Sequence, residues 1–379
     1  MKTWDVIIVG GGIIGLSLSI ALRKRGARIL VVERGEPGRE ASYAAAGMLV
    51  DCAVETAAAL QPLAIASARM YPEFVHELEV ESGINADLRD QGTILFLSSE
   101  HIRHPELRTA RIYPIKVHEL EPAMAKLPAD QELQLKERGL DQEKIGKVVT
   151  AMYPAAFYVR ERSVDPRALT SAAIKTAKSR GVDFSSGDPV TEVNVFYGRV
   201  SGVTTTKTAF HASTVVNCAG AWAEQVAPLK IPTRPVRGQM LSVLGLQRDM
   251  LRHVLRAPKV YLVPRSDGRI LIGASVEEVG YDKRTDPDMI QRIHRAAIGL
   301  VPSLRDARLL EAWAGLRPGS PDNLPILGAT EVEGYFVATG HFRDGILLAP
   351  ITAHLMSQLI TRQQLEYDIS TFSPARFAL

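Results

Sequence analysis

Residues 1–15 read Met1-Lys-Thr-Trp-Asp-Val-Ile-Ile-Val-Gly10-Gly-Gly12-Ile-Ile-Gly15, and their parsing decides the fold. Val6 to Val9 is a β-branched run of the length of one buried parallel strand. Gly10, Gly12 and Gly15 follow in G-x-G-x-x-G register. Residues 16–25 then read as a helix, with Leu16, Leu18, Ile20, Ala21 and Leu22 ahead of a basic end and Gly26 as the stop. Strand, glycine turn and helix in that order are the context that a dinucleotide fingerprint requires. Gly10 permits the tight turn, Gly12 lets backbone approach a pyrophosphate, and Gly15 lets the helix pack on the strand. The helix N-terminus offers unsatisfied N–H groups and positive dipole charge to that pyrophosphate.

A lone glycine fingerprint is weak, so the next strand is the test. Arg28-Ile-Leu-Val-Val32 supplies it, and Glu33 closes it about 20 residues beyond the glycines, where an acidic side chain accepts from ribose hydroxyls. Arg34 follows directly. An ordinary strand–turn–helix with a solvated Glu33 is the weaker reading.

The chain has 379 residues, which suggests two domains. Hydrophobic residues make up 46% and charged residues 23%, the balance of a soluble globular protein. The net charge of +3 is too small and too evenly spread to argue for nucleic acid. No run is long and apolar enough for a transmembrane helix, and no signal peptide is read, so a cytoplasmic protein without membrane association is expected. Cys52 and Cys218 form neither a C-x-x-C pair nor a zinc pattern, and read as small buried hydrophobes; no metal is expected.

Along the chain, small uncharged residues run from Ala41 and Ser42 through Ala46 and Gly47 to Met48, a composition that can lie against a large flat ligand. Residues 56–83 carry a helical period, with a break or kink expected at Pro62 and Pro72. Residues 91–97 read as a strand, followed by a charged, irregular stretch over 100–147. Helical order returns at Asp165-Pro166, N-cap and first position, and stops at Gly181. Strands are expected over 182–184, 189–193 (including Val190) and 214–217, and a hairpin around Gly198. A second glycine turn at Gly220 follows the last of these strands and belongs near the same nucleotide. A hairpin over 259–274 and a helix from Thr285-Asp-Pro287 to Pro302 come next. Residues 312–319 read as a return to the nucleotide half. A strand over 334–338, a loop over 339–345 and a helix over 346–360 follow. The expected nucleotide-binding domain is therefore discontinuous, 1–84, 160–228 and 312–379, with 85–159 and 229–311 forming a substrate domain.

Only one G-x-G-x-x-G is present and no redox cysteine pair, so FAD with a small reductant is favoured over NAD. A helix N-terminus after the loop 340–345, aimed at a flavin pyrimidine, would stabilise the anionic reduced ring. On these and five longer stretches the chain resembles the D-amino acid oxidase family of flavoproteins, and within it the bacterial glycine oxidase branch. The carriers are Val-Gly10-Gly-Gly-Ile-Ile-Gly15, Ser42-Tyr-Ala-Ala-Ala-Gly-Met48-Leu49, Tyr261-Leu-Val-Pro-Arg, Trp313-Ala-Gly-Leu-Arg317-Pro-Gly319 and Gly340-His-Phe-Arg343-Asp-Gly-Ile-Leu-Leu-Ala-Pro350. The resemblance implies an α/β fold, a Rossmann-like FAD-binding domain of the glutathione-reductase type, with a second, mainly antiparallel β-sheet substrate domain.

It also implies roles. Arg317 would clamp a substrate carboxylate with its planar fork. Tyr261 would donate a further hydrogen bond to it, and Arg343 would orient the ligand on the substrate side of the flavin. The amine would lose its Cα hydride to the flavin, with orientation and electrostatics left to the protein. O2 would reoxidise the flavin to give hydrogen peroxide, and the imine would hydrolyse to an oxo acid and ammonia. Non-covalent FAD is expected on Gly10, Gly12, Ile13, Ile14, Gly15, Glu33, Arg34, Ala41, Ser42, Ala46, Gly47, Met48, Val190 and Gly220. The C-terminal loop adds His341, Arg343, Asp344, Gly345, Ile346 and Leu347. Competing readings are surface ion pairing for the two arginines, core packing for Tyr261 and Met48, and a structural His341. Val276 and Lys259 depart from the glycine oxidase pattern near the expected pocket mouth, which widens the expected substrates from glycine to small D-amino acids and sarcosine. A D-amino acid dehydrogenase using a quinone or carrier, and a non-catalytic flavin subunit, are the alternatives. A homo-oligomer and, by kinship, a link to thiamine biosynthesis are further expectations.

Overall fold

The computed structural model describes residues 3–51, 56–97, 112–114 and 156–377. Its first sheet has six strands in the order β18 (Ile326–Ala329), β19 (Tyr335–Thr339), β12 (Thr214–Asn217), β1 (Val6–Val9), β2 (Ile29–Glu33) and β8 (Asp183–Ser186). All neighbours are parallel except β18 and β19. β1 is apolar throughout because both its faces are covered. Val6 and Ile8 pack toward the helices α1 (Ile13–Lys24), α3 (Gln61–Ser82), α4 (Pro166–Ser179) and α6 (Gly345–Ile360). Ile7 and Val9 pack toward a small antiparallel sheet of β9 (Val190–Phe196), β10 (Arg199–Thr205) and β11 (Ala209–His211).

The second sheet has eight strands. Its order is β17 (Arg308–Gly319), β13 (Arg234–Leu244), β16 (Arg269–Gly273), β15 (Val260–Pro264), β14 (Val254–Ala257), β4 (Thr93–Phe96), β6 (Ala156–Val159) and β5 (Ile112–Pro114). It is antiparallel apart from the β14–β4 pair. One face buries Leu241, Leu255, Leu262 and Ile272 against α5 (Pro287–Leu300). The other face carries Met240, Val263 and Tyr261 toward Ala46 and Met48, so the two halves meet across it. A two-stranded ladder, β3 (Met48–Leu49) with β7 (Arg162–Ser163), lies at that junction, as does the short helix α2 (Ala41–Ala44).

Two expectations change. Residues 312–319 do not return to the nucleotide-binding sheet. They form β17, in register with β13 from Arg234↔Gly319 to Leu244↔Arg308. Their small residues are explained by close packing on α2: a Cβ at Gly315 would stand 2.3 Å from Ala44 Cβ. The chain rejoins the first sheet only at β18.

The second change concerns the prolines. Pro62 lies in the first turn of α3, where no N–H is needed, and α3 runs on through Pro72 without interruption. The carbonyl that Pro72 deprives of a helical donor, Ala68 O, accepts instead from Arg162 Nη1 at 3.2 Å. The same solution recurs in α6, which contains Pro350. Ile346 O accepts from the Tyr71 hydroxyl, and Ser67 Oγ donates to Leu347 O at 2.6 Å while accepting from Ile351 N at 3.4 Å. The expected irregular stretch over 100–147 and Cys52 fall outside the described residues, apart from β5.

Asp165 caps α4 as its spacing predicts, accepting from Arg167 N and Ala168 N at 2.9 and 3.2 Å. Asp286 does the same for α5. No helix among the described residues is long and apolar enough to cross a membrane.

Candidate active site

A cavity of about 980 Å³ runs between the two halves, from the glycine turn to β15 and β17. At its nucleotide end Gly10 takes φ +108°, and a Cβ there would stand 2.4 Å from Cys218 O. A Cβ at Gly15 would stand 2.1 Å from Gly10 O, so this glycine serves helix–strand packing and does not line the cavity. Gly12, Ile13 and Ile14 do line it. The first N–H of α1 is met from outside the motif, since Ile13 N donates to Ser42 Oγ at 2.9 Å. Ser42, which lines the cavity, thereby keeps its own O–H as a donor.

Glu33 is buried and accepts from Gly11 N at 2.7 Å and Gly35 N at 3.0 Å. It shapes the glycine turn, and its remaining lone pairs face the cavity where a ribose would lie. Arg34 spreads its guanidinium 4.1 Å from the Trp222 ring, which stacks with Tyr281. Val190, Gly220, Ala41, Ala46, Gly47 and Met48 are also on the wall. Asn217 organises the turn at Gly220 by accepting from Ala219 N and donating to Ala223 O.

At the far end α6 begins at Gly345 with no side-chain cap, so its first N–H groups are left for a ligand. Arg343, Asp344, Gly345 and Ile346 line this end; Leu347 is instead packed into the helical core. His341 is buried, with Nε2 3.1 Å from Thr352 Oγ1, and burial pushes its pKa down to about 3. Its ring is neutral and structural, consistent with a backbone role in the loop.

Arg317 and Tyr261 come from strands three apart in the sheet and converge because glycines make room for them. A Cβ at Gly238 would stand 2.4 Å from the Arg317 guanidinium, and one at Gly273 would stand 2.6 Å from Tyr261 Oη. Arg317 Nη1 donates to Ser275 O at 3.1 Å and to Arg237 O at 3.3 Å. Burial lowers its pKa, and the neighbouring Tyr261 counters that. Burial raises the Tyr261 hydroxyl, and Arg317 and Arg343 pull it back. Tyr261 is therefore a neutral donor beside a fixed cation.

Behind Arg317 stands a network that the sequence did not disclose. Glu277 accepts from Ser275 Oγ at 2.5 Å, Arg237 Nη2 at 2.6 Å and Gln239 Nε2 at 2.9 Å. Burial pushes this carboxyl up, but the Arg237, Ser275 and Gln239 hydrogen bonds outweigh it and hold it down at about 2. Arg265 was equally silent. It is fully buried and donates to Ala46 O, bracing the loop before Met48. Cys218 lines the cavity as a buried thiol whose pKa burial pushes up, which makes it a poor nucleophile. No group of three metal-ligating side chains occurs among the described residues.

A long cavity with N–H donors at both ends, glycines where a pyrophosphate would pass and a carboxylate at the ribose position fits FAD. The arrangement is that of a flavin-dependent oxidoreductase. The profile of the FAD dependent oxidoreductase (DAO) family matches residues 5–359, and the chain belongs to that family. Its cofactor is FAD.

Among relatives, the bifunctional protein ThiO/ThiG of Trichormus variabilis is 35% identical over 99% of this chain and 55% of its own length. The chain thus spans about half of that protein. Hydrogen cyanide synthase subunit HcnC of Pseudomonas aeruginosa is 32% identical over 99% of this chain and 97% of its own. Glycine oxidase of Geobacillus kaustophilus is 31% identical over 98% and 97%. Its crystal structure matches with a TM-score of 0.88 over 99% of both chains.

Proposed function

We propose that the protein oxidises the α C–H bond of glycine, sarcosine or a small D-amino acid, giving an imine that hydrolyses to an oxo acid and ammonia or amine. The observation that carries this reading is the Arg317–Tyr261 pair, seated over Gly238 and Gly273 and lining the same cavity as the N-terminus of α6. Bound FAD supplies the two-electron acceptor for that C–H bond, with O2 as the terminal acceptor giving hydrogen peroxide. The chain's own residues bind and orient. Arg317 takes the carboxylate, Tyr261 donates to it, and Arg343 closes the charged side. Glu33 and Ser42 would hold the nucleotide, and the uncapped N–H groups of the first turn of α6 would favour negative charge on a reduced flavin. No general base is required beyond the unprotonated amine. The names borne by the glycine oxidase and ThiO relatives support the substrate class.

The test is the anaerobic visible spectrum of the purified yellow holoprotein with glycine, sarcosine, D-alanine and D-proline added separately. Bleaching of the flavin band by one of them is the expected result. A flavin that none of them bleaches overturns the reading. Peroxide yield under air separates an oxidase from a dehydrogenase that uses another acceptor.

A further inference from the structure

The substrate end of the cavity carries more positive charge than one carboxylate needs. Among the described residues four cations line it, Arg317, Arg343, Lys259 and Arg256, of which Arg256 is paired with Glu161 at 3.2 Å. Among the described residues no carboxylate forms an ion pair with Lys259 or Arg343, and the hydrogen bonds of Arg317 go to two carbonyls. Two acids on the cavity wall are committed elsewhere. Glu33 accepts from the glycine turn, and Glu40 pairs with Lys283 at 3.0 Å. Asp344 stands at the start of α6.

Lys259 has a defined place relative to the clamp. It lies in the tight turn joining β14 to β15, two residues before Tyr261. At a strand rise of about 3.3 Å per residue, the two backbone positions are roughly 7 Å apart. Phe96 and Leu97 face the same space, and their apolar surface raises the reach of an ammonium charge. We propose that the substrate is an amine bearing two carboxylates three atoms apart, one held by Arg317 and Tyr261 and the second by Lys259. The proposal rests on the amino acid oxidation reading above and narrows it. For iminodiacetate the change balances as iminodiacetate plus O2 plus H2O giving glyoxylate, glycine and H2O2. The C–N bond breaks in hydrolysis of the imine, and the two electrons end on O2.

The experiment uses the holoenzyme and matched pairs that differ only in the second carboxylate: sarcosine against iminodiacetate, and D-norvaline against D-glutamate. Half-saturating concentrations are read from anaerobic flavin bleaching. The dicarboxylate of each pair should half-saturate at about a tenfold lower concentration, an advantage that falls as salt is raised. In Lys259→Met the ratio within each pair should collapse toward one. Bleaching by the monocarboxylates with no dicarboxylate advantage overturns the inference and leaves amino acid oxidation standing. A dicarboxylate advantage that survives in Lys259→Met overturns the assignment to Lys259. No bleaching by any of the four, nor by glycine, overturns both.

Discussion

Arg317 spends one nitrogen on the carbonyls of Arg237 and Ser275, and this fixes the plane of the guanidinium while its other nitrogens stay available to a carboxylate. A lysine at this position keeps the charge but has neither the fork nor the reach to both carbonyls. Arg317→Lys should raise KM about 100-fold with the flavin spectrum intact, as steady-state kinetics on the holoprotein would show. Glu277 acts one step further back, through Ser275 and Arg237. Because its folded pKa is depressed to about 2, below the unfolded carboxylate value, the stability it contributes is present above the unfolded pKa and is lost as pH falls toward 2. Thermal unfolding followed from pH 7 down should therefore show a steeper loss in the native protein than in Glu277→Gln over that acid range. The same variant should raise KM more than it lowers kcat, since it loosens the seat of Arg317 without touching the reacting carbon.

Helices α3 and α6 each hold an internal proline, and each lost helical bond is replaced by a side chain from a distant part of the chain. Tyr71→Phe removes the donor to Ile346 O inside the core, which should cost about 1–3 kcal/mol and appear as a lower Tm. Introducing Pro350→Ala restores a backbone N–H four residues after Ile346. In that background the cost of Tyr71→Phe should shrink, so the double-mutant cycle should show coupling well above measurement error. These partnerships also mark where sequence reading stops. The glycine turn, the N-cap at Asp165, the helix start at Thr285-Asp-Pro287 and the apolar β1 were legible because every residue involved lies within one short segment. The support of Pro350 by Tyr71, and the seating of Arg317 on Gly238 and Ser275, join positions far apart in the chain and leave no local period. Residues 312–319 misled for a related reason. Their small side chains do face the cofactor half, through Gly315 and Ala44, but their backbone hydrogen bonds go to β13.

At the scale of the molecule, the two halves are tied across the nucleotide end by the loop 274–286. Tyr281 stacks on Trp222 and donates to Ala221 O at 3.0 Å, and Lys283 pairs with Glu40. Tyr281→Ala should speed FAD release roughly tenfold, measured as the recovery of free-flavin fluorescence on dilution. The order of the strands has a second consequence. β1 needs β12 beside it, Gly10 turns against Cys218 O, and the opposite wall begins at Gly345. The motif that opens the chain therefore leaves the ribosome long before the parts that complete it. At ordinary translation speeds that interval is on the order of tens of seconds. Until β12 has been made, the nascent chain thus exposes Val6–Val9 as bare apolar backbone, a natural hold for a chaperone. The flavin cavity is complete only once Gly345 has followed.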